Sequence, residues 1–174
     1  MQFLDSYFLM IMVLVFIIFV LLFILSGLVV LKEWERVVIF RLGKYLGIKG
    51  PGIIWKTPIL DYVVLKASLQ DQSTDVDTGR YISSEASTRR VEGVVAWRIE
   101  DLKKYALSID NHQQSIAIAI HHHVLKVAES MMSDAVYFDV DELNSEVEAA
   151  LEPTFSKWGL QIIKIDLHTA PYFG

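Results

Sequence analysis

The sequence predicts an α+β fold on a membrane anchor: an N-terminal transmembrane helix, then a domain of mainly antiparallel strands with packed helices. Three observations carry that prediction. Residues Tyr7 to Leu31 form an uncharged apolar run between Asp5 and Lys32. Extended segments rich in β-branched residues follow as far as Ile99. Segments of helical spacing then occupy Asp101 to Trp158, ahead of a last β-branched stretch from Leu160 to Leu167.

The apolar run comes first because it decides where everything else works. As one helix it reaches about 37 Å, against a hydrocarbon core of about 30 Å. A cleaved signal peptide would need a basic start and a small-residue cleavage site, whereas Met1 to Asp5 holds no Lys or Arg. A buried soluble helix would need more chain than the remainder supplies, since this one is apolar all round. A re-entrant hairpin would need a mid-span break, and only Ser26 and Gly27 interrupt, both late. Residues 7–31 are therefore expected to be the anchor and residues 32–171 the folded body.

Orientation follows from the flanks. Basic residues are absent before the span, while Lys32, Arg36, Arg41, Lys44 and Lys49 follow it. The positive-inside rule puts the N-terminus outside and the body on the cytoplasmic side. Trp34, Arg36, Arg41 and Lys44 are expected against lipid head groups, with Ile53, Ile54 and Trp55 dipping among them.

Arg36 to Arg41 reads as a strand, and Leu42 to Gly52, with its four glycines and Pro51, as a loop. Ile53 to Trp55 reads either as a brief strand or as an apolar tip. Asp61 to Asp77 alternates with a period of two and is expected to be one long strand, ended by a turn at Asp77 to Arg80. Arg89 to Ile99 is the next strand, with a bulge expected at Gly93. Asp101 is placed to cap a short helix and Asn111 a longer one, whose apolar stripe is Ile116, Ile120, Val124, Val127 and Met131. Asp139 and Glu142 have capping-box spacing for a third helix as far as Glu152. Pro153 should then kink the chain or start a new turn, and Gly159 should terminate it.

Composition narrows the function. Net charge is −5 and cysteine is absent, which removes disulfides, thiolate metal sites and cysteine nucleophiles. Lys32 to Tyr105 carries thirteen basic and ten acidic residues; Ala106 to Gly174 carries three and ten. That asymmetry reads either as a solvated acidic surface or as a basic membrane-proximal face and an acidic distal one, which can pair between neighbouring subunits. Nothing resembles a basic stripe with interleaved aromatics, so nucleic acid is not expected as a partner.

No G-x-S-x-G, HExxH or P-loop is present. His121, His122 and His123 are consecutive, so on a helix they point about 100° apart and do not converge on one ion. His123 is expected near the apolar stripe and His122 away from it. The acidic run from Asp139 to Glu152 lacks the central glycine of a calcium loop. Neither an enzyme nor a cofactor is expected.

The strings Glu35 to Tyr45, Gly50-Pro51-Gly52 and Pro58 resemble the opening of stomatin-type band-seven proteins, the stomatin, prohibitin and flotillin (SPFH) group. Glu92 to Asp101 resembles that family's central strand and its step into a helix. Trp158-Gly159-Leu160 with Ile163 to Leu167 is similar to its closing passage. The likeness covers about residues 32 to 171 and points to the stomatin-like (slipin) branch. It implies a non-catalytic scaffold whose copies pack side by side into rings or cages, corral a patch of lipid bilayer and hold membrane partners such as channels, proteases or an NfeD-type protein. The rival reading is a non-assembling accessory subunit of one transporter, channel or protease. Ser83 to Ser87 and the three histidines depart from the family pattern, and relatives usually continue into a long helix where this sequence ends at Gly174.

Overall fold

Helix α1 (Gln2–Ser26) takes up most of the uncharged run, and Tyr7–Ser26 is long and apolar enough to cross a membrane. The helix was expected to continue to Leu31. Instead it stops at Ser26, and Leu28–Leu31 forms strand β1. Val29 and Val30 are β-branched, and beyond Gly27 they find a partner strand that supplies more hydrogen bonds than a helix end does.

The computed structural model describes residues 2–78, 82–83, 88–134 and 139–171, in two units, Met1–Ser68 and Leu69–Gly174. In the first unit β1 pairs antiparallel with β4 (Gly52–Trp55). The chain between them forms β2 (Glu35–Arg41) and β3 (Lys44–Lys49), and β5 (Asp61–Ser68) completes a three-stranded sheet of order β3-β2-β5. Leu42 to Gly52 was expected to be a loop. Its first two residues make a two-residue hairpin connection, both with positive φ (49° and 80°), and the rest is largely strand. Leu31, Val37 and Ile39 form the core of this unit, with Val29, Ile54 and Val63 packed on them.

In the second unit β8 (Thr88–Ile99) is central. It pairs with β6 (Gln72–Asp77) and β7 (Ile82–Ser83) along one edge and with β9 (Leu160–Pro171) along the other, all antiparallel. The expected single strand from Asp61 to Asp77 is two strands, β5 and β6, one in each unit. Of the expected turn at Asp77 to Arg80, Gly79 and Arg80 lie outside the described residues. The register of β8 on β9 shifts between Ala96 and Trp97, not at Gly93. Gly93 answers a different need: a Cβ there would stand 2.1 Å from the Asp166 carbonyl oxygen.

Helices α2 (Leu102–Ser108), α3 (His112–Asp134) and α4 (Val140–Trp158) cover this sheet's core. Asp101 caps α2 by accepting from the Lys103 and Lys104 N–H groups, and Asp139 caps α4 by accepting from Asp141 N–H. Asn111 does not cap α3 as expected. Its backbone is left-handed (φ 49°) and its side-chain amide donates to Gln114. Ile116, Ile120, Val124 and Ala128 form the fully buried stripe of α3, so the fourth position falls to Ala128, not Val127. Leu143, Val147, Leu151 and Phe155, each four apart, form that of α4, and each such burial contributes about 1.5–3 kcal/mol. Helix α4 continues through Pro153 to Trp158 and ends at Gly159 in a left-handed cap, whose N–H reaches the Phe155 and Ser156 carbonyls. Proline there removes one helical bond, but Leu151 and Phe155 on either side are anchored in the core.

Candidate membrane-facing site

Helix α1 is joined to the first unit by more than its chain connection. Trp55 Nε1 donates to the Ile24 carbonyl at 3.1 Å, and Lys56 N–H donates to the Gly27 carbonyl at 2.9 Å. The Ile24 carbonyl also accepts from the Gly27 N–H at 3.2 Å, so the Trp55 bond is a second one to it, and the Lys56 bond engages the first carbonyl beyond the helix. The two bonds place the end of β4 at the helix exit.

The β1–β4 ribbon has two unlike faces because its side chains alternate. Val29, Leu31 and Ile54 turn inward to the core. Leu28, Val30, Ile53 and Trp55 turn outward and are 44%, 72%, 74% and 45% exposed. The register pairs Leu28 with Trp55 and Val30 with Ile53, so the four make two rows of one apolar face that starts where α1 ends. The residues of α1 from Tyr7 to Leu25 are exposed along their whole length.

Arg41 sits at the far end of β2, where the chain has come back to the exit. Its guanidinium forks onto Asp61, with Nε 2.6 Å from Oδ1 and Nη2 2.9 Å from Oδ2, and Nη2 also reaches Thr57 Oγ1 at 3.2 Å. Thr57 N–H donates to Asp61 Oδ2 at 2.9 Å. The Arg41 guanidinium, and after it the bond from Thr57, holds the Asp61 carboxyl far below the usual carboxylate range. Asp61 raises the Arg41 pKa in turn. Lys44, exposed, is the register partner of Arg41 on β3.

Seven residues were expected at the membrane surface, and the structure divides them. Arg41, Lys44 and Trp55 come to the end of the unit that carries the helix exit. Ile53 lies one row further along the apolar ribbon face, while Ile54 belongs to the core. Trp34 and Arg36 lie at the opposite end, beyond the four residues of β1, about 13 Å of extended chain. There Lys32 stacks over the Trp34 ring at 5.5 Å, and Arg36 Nη1 donates to the Glu33 and Glu35 carbonyls at 2.7 and 2.8 Å. The Lys32 N–H and then Lys66 lower the Glu35 pKa at this turn. Leu28, Val30 and Lys56 also belong to the exit region and were missed. The β-pairing that aligns Val30 with Ile53 spans twenty-three residues of sequence, and no local pattern announces it.

In the second unit, His121 and His122 are exposed and His123 is half-buried, with the His122 and His123 rings 5.6 Å apart. Burial, then the neighbouring His122 and Lys126, lowers the His123 pKa from 6.5. Among the described residues no group of three or more His, Cys, Asp or Glu is arranged to hold a metal ion.

The profile described as SPFH domain / Band 7 family matches residues 29–171, from the second residue of β1 to the last of β9. A stomatin homologue of Pyrococcus horikoshii is 28% identical over 153 residues, covering 88% of this chain and 57% of the relative. Mouse stomatin is 24% identical over 140 residues, covering 79% of this chain and 49% of its own length. An uncharacterised protein of Archaeoglobus fulgidus is 28% identical over 148 residues, covering 85% of this chain and 59% of its own. The chain thus spans about half to three fifths of the length of these relatives.

Proposed function

The chain belongs to the SPFH domain / Band 7 family, in its stomatin-like branch, and on that premise we propose that it is a membrane-anchored scaffold whose copies assemble side by side. Residues 7–26 span the bilayer, the ribbon of β1 and β4 rests at its surface, and the remaining residues to 171 form the assembling body. The role is organisation of a membrane patch and retention or regulation of membrane partners, a protease or an NfeD-type protein among them, without catalysis. The body lies on the cytoplasmic side, following the basic residues after the span.

One observation carries this reading: a helix that is apolar and exposed from Tyr7 to Ser26 is bonded directly to a folded unit whose adjoining face is also apolar. Such a surface has no stable state in water and has one in lipid. For assembly, support comes from charge. The unit that carries the helix holds seven basic and four acidic residues, and the second unit nine and seventeen. Contact between the first unit of one copy and the second unit of its neighbour is the lateral pairing that these charges favour.

The test is particle mass and shape, by light scattering and negative-stain imaging, after extraction in a mild detergent. Closed or arc-shaped particles of many copies are expected. A monodisperse single copy would overturn self-assembly and leave the accessory-subunit reading in its place.

A further inference from the structure

We infer that the end of the first unit beside the α1 exit seats in the lipid interface through two apolar prongs, Leu42 and Ile59. Leu42 is 74% exposed and Ile59 91%, and both are held on left-handed backbone, with φ of 49° and 74°. That conformation is uncommon for any side-chain-bearing residue and an outlier for a β-branched one. At Leu42 the two-residue hairpin turn itself calls for that backbone, whereas at the β-branched Ile59 it is strain of the kind that points to function.

The surroundings keep the prongs in place and say what covers them. Leu42 N–H donates to the Leu60 carbonyl at 3.1 Å, so the β2–β3 hairpin tip and the loop bearing Ile59 are tied together. That loop is closed by Asp61 N–H on the Thr57 carbonyl at 2.9 Å and by Thr57 N–H on the Asp61 carboxylate at 2.9 Å. Its first residues follow Lys56, which is bonded to Gly27 at the helix exit. The prongs thus lie at the end of the unit where the spanning helix emerges. Arg41, Lys44 and Lys56 flank them, and the acid at this end, Asp61, is buried and engaged by Arg41. Glu33 and Glu35 belong to the opposite turn. Apolar side chains ringed by cations match the boundary between acyl chains and anionic phosphates, where such groups bury by about 5–10 Å. The occupant is the bilayer itself, and the inference rests on the reading that α1 spans it.

The chain has no cysteine, so one introduced thiol is labelled uniquely. The full chain is reconstituted in phosphatidylcholine–phosphatidylglycerol vesicles as four separate variants, Leu42→Cys, Ile59→Cys, Glu33→Cys and Phe16→Cys, each carrying an environment-sensitive fluorophore. Nitroxide lipids, shallow or deep in the acyl region, then quench by depth. The expected result is loss of fluorescence at 42 and 59 with the shallow nitroxide, at 16 with the deep one, and at 33 with neither. If 16 is quenched while 42 and 59 behave like 33, the lipid seat is overturned and the anchor stands. If 16 is not quenched, the anchor reading fails and the seat fails with it. Labels at 42 and 59 shielded from aqueous iodide yet untouched by nitroxide lipid would assign the prongs to a second copy, which also overturns the proposal. Each prong is read independently, and a variant that loses its far-ultraviolet circular dichroism is replaced by Leu60→Cys on the same loop.

Discussion

Gly27 and Lys56 meet backbone to backbone: Lys56 N–H donates to the Gly27 carbonyl at 2.9 Å, and a Cβ on Gly27 would stand 2.4 Å from the Lys56 carbonyl oxygen. The Trp55 indole nitrogen would be 2.5 Å from the same Cβ. No side chain fits at the joint between helix and ribbon. Gly27→Ala is expected to break the Lys56 and Trp55 bonds together, since both partners must retreat. Hydrogen exchange in micelles checks it: faster exchange confined to Lys56 and the Trp55 indole is expected, with α1 still helical.

The Arg41–Asp61 fork predicts acid sensitivity of the first unit. Asp61 has its folded pKa depressed from the ordinary 3.8, so its contribution to stability is present above that value and is lost as pH falls below it. Asp61→Asn should lower the denaturant midpoint at neutral pH and flatten its fall in acid. The effect should exceed that of Lys66→Ala, because Glu35 and Lys66 are more exposed than the buried Asp61 carboxylate. Arg41→Lys keeps the charge and loses the two-pronged geometry, so an intermediate midpoint is expected.

Pro153 is exposed and sits inside α4. Replacing it by alanine restores one helical N–H and removes a steric conflict, a gain of up to about 3 kcal/mol. About 0.4–1 kcal/mol of that is lost to the greater freedom of the unfolded chain. Pro153→Ala should therefore raise the thermal midpoint. Leu151→Ala, two residues away but fully buried, should lose about 2–5 kcal/mol. Opposite shifts in one thermal melt series test both.

His123 predicts a second pH effect, in the other unit. Its folded pKa lies below the ordinary 6.5, so stability is full above that value and declines as pH falls through the folded pKa. His122 and Lys126 on α3 disfavour its charge, and Glu146 of α4 lines the same cleft. His123→Gln should reduce the slope of stability against pH between about 7 and 5. An unchanged slope would assign the decline to another group.

Local chemistry was legible along the chain. The apolar run, the caps at Asp101 and Asp139, the terminator at Gly159 and the four-residue spacing of Ile116, Ile120 and Val124 each express a rule acting over a few residues, and each predicted its element. Three failures have one cause. Local patterns extend the helix through Leu31, make the β3 hairpin a loop and make Asp61 to Asp77 one strand, because the pairing that decides each lies outside the segment itself. Val29 leaves the helix because Ile54 is opposite it, and Gly47 stays in a strand because Ile39 is.

The same division holds for the residues around the helix exit. Composition alone establishes that a long apolar helix is followed by basic residues, since charge and hydropathy are properties of the residues themselves. Which basic residues return to the helix exit depends on where β2 turns and which strand it joins. Trp34 and Arg36 are close to α1 in sequence, yet they lie beyond β1, while Arg41, Lys44 and Ile59 are more distant in sequence and come back beside it. Only hydrogen-bonded pairing over long sequence separations, with Val37 and Ile39 driven into one core, sets that placement.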